Sequence, residues 1–403
     1  MTAAWAAGAA RARAVASRRA GAPLARTLAA QRTLPDALRL LAATPYRRGL
    51  DPHAPPAAAE RALHATLLWN LRVLAGWQPP AGAAMLRLLA SGFEIANIEG
   101  HLRTLTAAGP PAAPAPGPAD VPGPPGVRPP TVPAPAGPPR GSPPAPPPAP
   151  AAPLVPGALP APGAPPPYRL GALATAWPRL ARTRTPAGLR AALAASPWGD
   201  PGGDTPAAVA LWLRTDAAVR TAAAVPAAAP WAAGRLALLT AREVHLHGRP
   251  LPEPAARHAA GLLGRAAPRA ATLADCRRLL PGPARWALDG VDAPAGLWRA
   301  EARWWARLEH DGLALLRTRR PGPPPVVGAA AVLAADAWRV RAALQCAARG
   351  GVRTDAAGVP GLPGVRDVLD VVDALGFPDL PDPPDLRRAP GRAGATEAPG
   401  AAA

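Results

Sequence analysis

Three polar side chains in one helical stretch have a spacing suited to binding or linking. The stretch reads Phe-Glu-Ile-Ala-Asn-Ile-Glu-Gly-His-Leu-Arg from Phe93 to Arg103, and Glu94 and Asn97, three residues apart, share one helical face. Asn97 could satisfy backbone groups on a neighbouring helix, and Arg103 could pair with a carboxylate. Since buried polar groups are costly unless paired, we interpret them as ties between helices within residues 1–109. A partner interface is the alternative.

Parts of the chain repeat. Asp336-Ala-Trp-Arg-Val-Arg341 is a degenerate second copy of the polar motif. A Thr-initiated, Leu-containing segment, Thr33–Tyr46, has a partner in Thr185–Trp198, and both end in a hydroxyl residue, Pro and an aromatic residue. Thr272–Pro281 begins a shorter third version. Repeated units of this kind indicate duplicated helical lobes, which are more typical of an assembly component than of an enzyme.

Residue patterns for catalysis or metal binding are missing from the sequence. The chain contains no lysine, so it cannot contain a GxxxxGK[ST] phosphate loop, and it has no GxSxG motif. His245 and His247 point to different faces of a helix, and Cys276 and Cys346 are not in a CxxC spacing. We therefore predict a non-enzyme with no catalytic, cofactor-binding or metal-binding residues, in a reducing compartment.

Charged and aromatic residues alternate between Trp298 and Arg307. Glu301 has arginines nearby at helical offsets, with three tryptophans interleaved. This pattern predicts a solvated salt-bridge face beside a Trp-rich core. The functional alternative is an arginine-rich rim facing a partner subunit.

The net charge of the 403 residues is +19, and every cationic side chain apart from histidine is arginine. A nucleic-acid binder is one interpretation. However, the arginines are scattered and are not interleaved with stacking aromatics, and the Ala, Pro, Gly and Arg bias is typical of a GC-rich genome. An anionic protein or membrane surface stays open as a partner.

Composition divides the chain. Residues 110–167 are mostly Pro, Ala and Gly with almost no charge, and residues 378–403 are also rich in Pro, Ala and Gly, so we predict disorder in both. The remainder is rich in Ala and Leu at helical spacing, which predicts helical lobes at 1–109, 168–270 and 271–377. No apolar run approaches the ~20 residues that span a bilayer, so we expect a soluble or peripheral protein.

Leucine and isoleucine spacing predicts individual helices. One ends at Gly76, a second contains Met85 and Leu89, and a third contains Ile95 to Leu105, with antiparallel packing between them. The later helices are centred on Leu236–Leu246, Trp298–Leu316 and Val332–Leu344, with a short amphipathic helix at Val365–Leu375.

These motifs resemble the C subunit of rotary V/A-type ATPases, the counterpart of eukaryotic subunit d. That family has three related helical lobes, each with a hydroxyl-x-Tyr element and a helix written Tyr-Asp/Glu-Ile-x-Asn-Ile-x-x-x-Leu-Arg. Tyr46 fits the first element, and Phe93, Glu94, Asn97 and Arg103 fit the second. The resemblance covers roughly residues 1–107 and 168–355.

The other two lobes match the family motif less well. In lobe two, Glu243 stands at the acidic position, but the asparagine is missing. In lobe three, Asp336 and Arg341 keep the acid and the arginine, while Arg339 stands where asparagine is expected. The phrases beginning at Tyr168 and Leu297 resemble the actinobacterial branch of the family.

The resemblance implies an all-α protein whose three lobes form a funnel-like socket, with residues 110–167 as a departure from the family. It implies a non-catalytic rotor part on the cytoplasmic face of the cell membrane, linking the central shaft to the proteolipid ring and touching the membrane through those partners. No cofactor and no nucleic acid are expected. Two alternatives stay open: a helical scaffold that recruits partners through its Pro-rich segment, and an arginine-rich nucleic-acid binder.

Overall fold

The computed structural model describes residues 2–107, 166–319 and 321–351, and within these ranges the chain is helical with no strand. The all-α prediction is therefore confirmed for this part of the chain. Nearly all of the Pro-rich stretch predicted at 110–167, the helix predicted at Val365–Leu375 and the tail from residue 378 lie outside the described residues.

Fifteen α-helices follow one another in the described ranges, joined by turns and short 3₁₀ segments. The first six are α1 (Thr2–Ala16), α2 (Gly21–Ala29), α3 (Leu34–Ala42), α4 (Pro56–Gly76), α5 (Pro80–Leu89) and α6 (Ser91–Ala107). The next five are α7 (Trp177–Leu180), α8 (Pro186–Ala194), α9 (Pro206–Ala224), α10 (Ala229–Ala241) and α11 (Glu253–Leu263). The last four are α12 (Leu273–Leu279), α13 (Gly282–Arg285), α14 (Leu297–Leu316) and α15 (Pro323–Ala348).

The helices predicted from leucine and isoleucine spacing within the described residues are present. The helix expected to end at Gly76 is α4, and the two that follow it are α5 and α6. The later predictions correspond to α10, α14 and α15. A π-helical turn, Arg242–Leu246, continues α10, so the predicted segment is not one regular α-helix.

Threonine caps begin the repeated helices. The hydroxyl oxygens of Thr33, Thr185 and Thr272 each accept a hydrogen bond from the backbone N–H three residues later. Each satisfies one of the N–H groups that a helix start leaves unpaired. The shared start of the three repeats is therefore a shared local structure.

The repeated hydroxyl-Pro-aromatic ending also has one conformation. The Thr44 hydroxyl donates to the carbonyl of Leu41 at 2.6 Å and accepts from the N–H of Tyr46 at 3.1 Å. The Ser196 hydroxyl makes the equivalent bonds to the preceding helix and to the N–H of Trp198, at 2.7 and 3.2 Å. Both aromatic side chains are buried. In each repeat the turn directs an aromatic ring into a core.

Three packing arrangements join helices that are distant along the chain. In the first arrangement, α6 packs against α7, α8 and α9. In the second, α10 packs against α13 and α14, and in the third, α15 packs against α1, α2 and α4. We refer to these as the first, second and third junctions.

Helix α6 packs into a hydrophobic core that is formed mainly by the helices after it in the chain, α7, α8 and α9. Its apolar side chains Ile95, Ile98 and Leu102 form one buried cluster with residues of α7, α8 and α9, such as Leu189, and with Trp198 in the turn after α8. Most of the remaining core is a second cluster that joins α1–α5 to α10–α15. The motif helix thus packs mainly outside the segment 1–109 in which it lies.

Helix α15 is the most deeply enclosed long helix and is buried on nearly all sides. It crosses α14 at a point where two glycines face each other. A Cβ atom added at Gly328 would lie 2.5 Å from the carbonyl oxygen of Gly312. The backbones can therefore approach this closely only because neither residue carries a side chain.

Candidate functional site

The Glu94 carboxylate holds the start of the next helical segment. The side chain is only 1% exposed, and its two oxygens accept hydrogen bonds from the backbone N–H groups of Thr175, Ala176 and Trp177, each at 2.6 Å. These N–H groups lie at the start of α7, where a helix favours negative charge. Glu94 therefore fixes α6 to the first turn of α7.

Asn97 holds a non-helical segment just before that turn. Its amide donates to the carbonyl of Tyr168 at 2.9 Å and accepts from the N–H of the same residue at 2.6 Å. Phe93 contacts the Tyr168 ring edge to face, with ring centroids 5.2 Å apart. The expected pairing of Asn97 with backbone groups is present, but the partner lies in a non-helical segment and not in a helix.

Glu94 and Asn97 also make a different connection from the one expected. The sequence interpretation had these residues tying helices together within residues 1–109, whereas their partners all lie in 168–177. The physical reason is that the apolar face of α6 packs against α7–α9, which turns its polar residues toward the same neighbours.

Asp336 of α15 has the same role at the other end of the chain. Its carboxylate accepts hydrogen bonds from the N–H groups of Ala20 and Gly21 at 2.8 and 2.7 Å, at the start of α2. It also accepts from the Tyr46 hydroxyl at 2.7 Å. Burial, followed by the adjacent Asp336 charge, raises the pKa of Tyr46 well above its usual value. Asp336 thus joins α15 to the start of α2 and to Tyr46, the aromatic end of the repeated segment Thr33–Tyr46.

Ion pairs between long helices accompany these contacts at the first and third junctions. Arg214 of α9 lies 2.8 Å from Glu99 of α6. Arg341 of α15 lies 2.7 Å from Glu60 of α4, and Gln345 donates to the other Glu60 oxygen at 2.7 Å. The acid is on the motif helix at the first junction and on its partner at the third. The two junctions therefore have opposite charge order.

Glu301 makes the corresponding ion pairs at the second junction. It is fully buried on α14 and accepts hydrogen bonds from Arg235 of α10 and from Arg242 in the π-helical turn. The solvated salt-bridge face predicted for Trp298–Arg307 is therefore wrong for Glu301, because α10 covers this side of α14. The Arg307 guanidinium does pair along its own helix, with Asp311 at 3.1 Å.

Of the remaining motif residues, Arg103 and Glu243 have partners nearby in the chain, whereas Arg339 has a partner on another helix. Arg103 is exposed and donates to the carbonyl of Glu99 in its own helix. Glu243 lies in the π-helical turn and pairs with Arg249 at 2.8 Å. Arg339 pairs with Glu309 of α14. The acidic position of lobe two, assigned from sequence to Glu243, thus lacks the helix-start contacts that Glu94 and Asp336 make.

An open cavity of about 1570 Å³ lies between helices of all three junctions. Its walls come from α4, α5, α6, α7, α9, α10, α14 and α15. Four indoles, Trp231, Trp304, Trp305 and Trp338, line the apolar part. Trp305 stacks on Trp338 with ring centroids 5.2 Å apart and meets Trp304 edge to face at 4.9 Å. The aromatic groups thus form a rigid apolar surface inside the cavity.

Reactive side chains are few in the described part of the chain. No group of three or more metal-ligating side chains occurs there. Cys276 and Cys346 are both buried free thiols, and burial raises the pKa of each to about 11. Almost no thiolate is therefore present at neutral pH.

Within residues 2–107, 166–319 and 321–351, no helix has both the length and the apolarity needed to cross a bilayer.

Comparisons with known proteins add no assignment. No known protein-family model matches this chain, and no curated protein has a sequence that matches it. The family resemblance thus depends on the motifs quoted above.

Several residues that connect the junctions were not recognised from sequence. Glu60 and Arg214 look like ordinary solvated helix residues, and their partners are distant in the chain. Tyr168 begins one of the phrases that resemble the actinobacterial branch and follows a long Pro-rich stretch, but neither feature indicates its contact with Asn97. One feature of the sequence could have indicated that Glu301 is buried and paired: it is an acidic residue among tryptophans. A carboxylate buried among such residues needs cationic partners.

Proposed function

We propose that this protein is a non-catalytic rotor coupling subunit of a V/A-type ATPase. In this role it links the central shaft to the membrane proteolipid ring and transmits torque for ATP-coupled proton or sodium transport. It acts at the cytoplasmic face of the membrane as a peripheral protein. The proposal comes from the motif resemblance and is supported by two features of the structure.

The first supporting feature is the order of the three junctions. Taking the lobes as 1–109, 168–270 and 271–377, the first junction connects lobe one to lobe two, the second connects lobe two to lobe three, and the third connects lobe three back to lobe one. Each uses a late helix of one lobe against the next lobe, with an ion pair between them. This supports three related lobes arranged as a closed, funnel-like socket.

The second feature, and the observation that carries the proposal, is the cavity of about 1570 Å³ whose walls come from all three lobes. A socket that receives a shaft needs a recess that no single lobe could form. It also needs stiff walls. Buried helix-start contacts and interhelical ion pairs provide these, because close-packed interiors deform little.

Deletion of the chain in its native host tests the proposal. We expect membranes from the deletion strain to lose ATP-driven ion transport, and a plasmid copy of the wild-type chain to restore it. Soluble nucleotide-hydrolysing subunits should remain detectable, because they are separate chains. Unchanged ATP-driven transport in the deletion strain would refute the proposal.

A further inference from the structure

Positively charged side chains outnumber negatively charged ones in the wall of the cavity. Six arginines and two glutamates contribute to its wall. The arginines are Arg61, Arg103, Arg182, Arg184, Arg214 and Arg235, and the glutamates are Glu60 and Glu99. Arg103, Arg182 and Arg184 are also exposed, which places them where the cavity opens to solvent.

Both glutamates are already neutralised. Glu60 is held by Arg341 and Gln345, and Glu99 by Arg214. In contrast, Arg61, Arg103, Arg182 and Arg184 have no carboxylate within 4.0 Å among the described residues. The opening therefore carries uncompensated positive charge, which attracts an anionic partner and repels a basic one.

The histidines of the wall do not add to this charge at neutral pH. His64 and His101 both line the cavity, and burial lowers the pKa of each, to about 4 for His64. The positive field thus comes from arginine, whose charge does not change over the physiological pH range.

The interior differs from the opening, because Trp231, Trp304, Trp305 and Trp338 give it an aromatic, apolar surface. A chain entering this space finds few partners for its backbone N–H and C=O groups, so a helix, which pairs them internally, fits best. A helix of 10 Å diameter rising 1.5 Å per residue would place about 13 residues in 1570 Å³.

We infer that the cavity receives the end of one α-helix, about three and a half turns long, whose tip is apolar and whose following turn is acidic. This inference rests on the proposed function and adds the chemistry by which the socket recognises its shaft. The tip contacts the tryptophans, and the carboxylates pair with the arginines at the opening, Arg103, Arg182 and Arg184, which have no carboxylate partner among the described residues.

Photo-cross-linking in native membranes tests this inference. The full chain would carry p-benzoylphenylalanine in place of Ala181, which is exposed, or of Ala334, which is half-buried; both line the cavity. We expect both positions to cross-link to one segment, and sequencing of the cross-linked peptide should find an apolar end followed by net negative charge. A cross-linked segment with net positive charge, or a cross-link to residues 108–165 of the same chain, would overturn the inference.

Charge reversal supplies a second, independent readout. The double variant Arg182→Glu/Arg184→Glu should lower the cross-linking yield at Ala334 at least about fivefold. The matched control, Arg26→Glu/Arg265→Glu, makes the same charge change at exposed arginines outside the cavity wall and should leave the yield unchanged. Equal yields in the two double variants would contradict the inference.

Failure of this inference can be separated from failure of the proposed function. If the cross-linked segment belongs to a rotor subunit but is basic, the recognition chemistry is wrong and the rotor role stands. If an acidic helix end is captured but belongs to a protein outside any rotary ATPase, the recognition chemistry stands and the rotor role fails.

Discussion

At the residue scale, two buried carboxylates make the same kind of contact in distant parts of the chain. Glu94 and Asp336 each accept hydrogen bonds from consecutive backbone N–H groups at the start of a helix. A carboxylate in this position balances its own burial with charge-assisted bonds to donors that the helix leaves unpaired. This contact explains why the motif needs an acid there, a reason that the sequence pattern alone did not reveal.

Replacing Glu94 by Gln should destabilise the fold. The new amide NH₂ faces backbone N–H groups that need an acceptor, so we expect a loss of about 2–3 kcal/mol in the free energy of unfolding, measured by urea denaturation. Glu243→Gln is the matched control, because this residue pairs only with the exposed Arg249 among the described residues, and it should change stability by less than about 0.5 kcal/mol. Equal losses in the two variants would argue against the assigned role of Glu94.

His64 predicts a pH dependence of stability. It lies near Glu60, Arg61 and Arg341, and its pKa is lowered from 6.5 to about 4, first by burial and then by the Arg341 charge. Because the folded pKa lies below the unfolded one, the unfolded chain binds the proton first as pH falls. The stability contributed by neutral His64 is present above pH 6.5 and is lost between about pH 6.5 and 4, up to about 3 kcal/mol.

The comparison between wild type and His64→Gln isolates this contribution from that of the carboxylates, which titrate in both proteins. Unfolding free energies measured from pH 7 to pH 4 should fall more steeply in the wild type. Parallel curves would show that His64 is not held neutral by its surroundings.

At the element scale, helix positions and starts could be predicted well, because they depend on local spacing and caps. The Thr33, Thr185 and Thr272 caps and the end of α4 at Gly76 follow from nearby residues. The partners of each helix could not be predicted in the same way. Polar residues of helix α6 were expected to tie helices together within residues 1–109. Its apolar face packs against α7–α9 instead, and this packing depends on contacts between residues that are distant in the sequence.

Burial caused a similar error at Glu301. The arginines of its own helix suggested a solvated network, but the structure pairs it with Arg235 and Arg242 from another element. Helical offsets identify which side chains are neighbours on one helix, whereas only packing decides which face is covered.

The crossing of α14 and α15 yields a prediction of its own. Gly328→Ala would push a methyl group against the carbonyl of Gly312, a contact of 2.5 Å that backbone must move to relieve. We expect a loss of about 1–3 kcal/mol, read from chemical denaturation. Gly261→Ala in α11, where a Cβ atom meets nothing within 4 Å, should instead stabilise by about 0.5–1 kcal/mol. A neutral Gly328→Ala variant would show that the helices do not cross this closely.

At the scale of the whole molecule, α6 packs against α7–α9, α10 packs against α13 and α14, and α15 packs back against α1, α2 and α4, around a cavity that helices of all three junctions line. Local sequence patterns suggested the lobes but not the cavity. Its wall combines residues from eight helices, and no local pattern encodes such a set.

The Pro-rich stretch provides a test between two functional hypotheses. Residues 110–165 would be replaced by a Gly/Ser linker of the same length, leaving Tyr168 and its bonds to Asn97 intact. The rotor proposal predicts unchanged recovery of shaft and ring subunits with the tagged chain, because their contacts lie on the helical lobes. Loss of a partner only in the replaced chain would favour the scaffold hypothesis.

The most direct test of the rotor proposal is an affinity purification of the tagged full chain from gently solubilised native membranes, with mass spectrometry of what is recovered. We predict stoichiometric recovery of a proteolipid, a shaft subunit and nucleotide-binding subunits, none of which should appear with an untagged control. Recovery of unrelated soluble proteins, or of no partner, would contradict the assignment of this chain to a rotary ATPase.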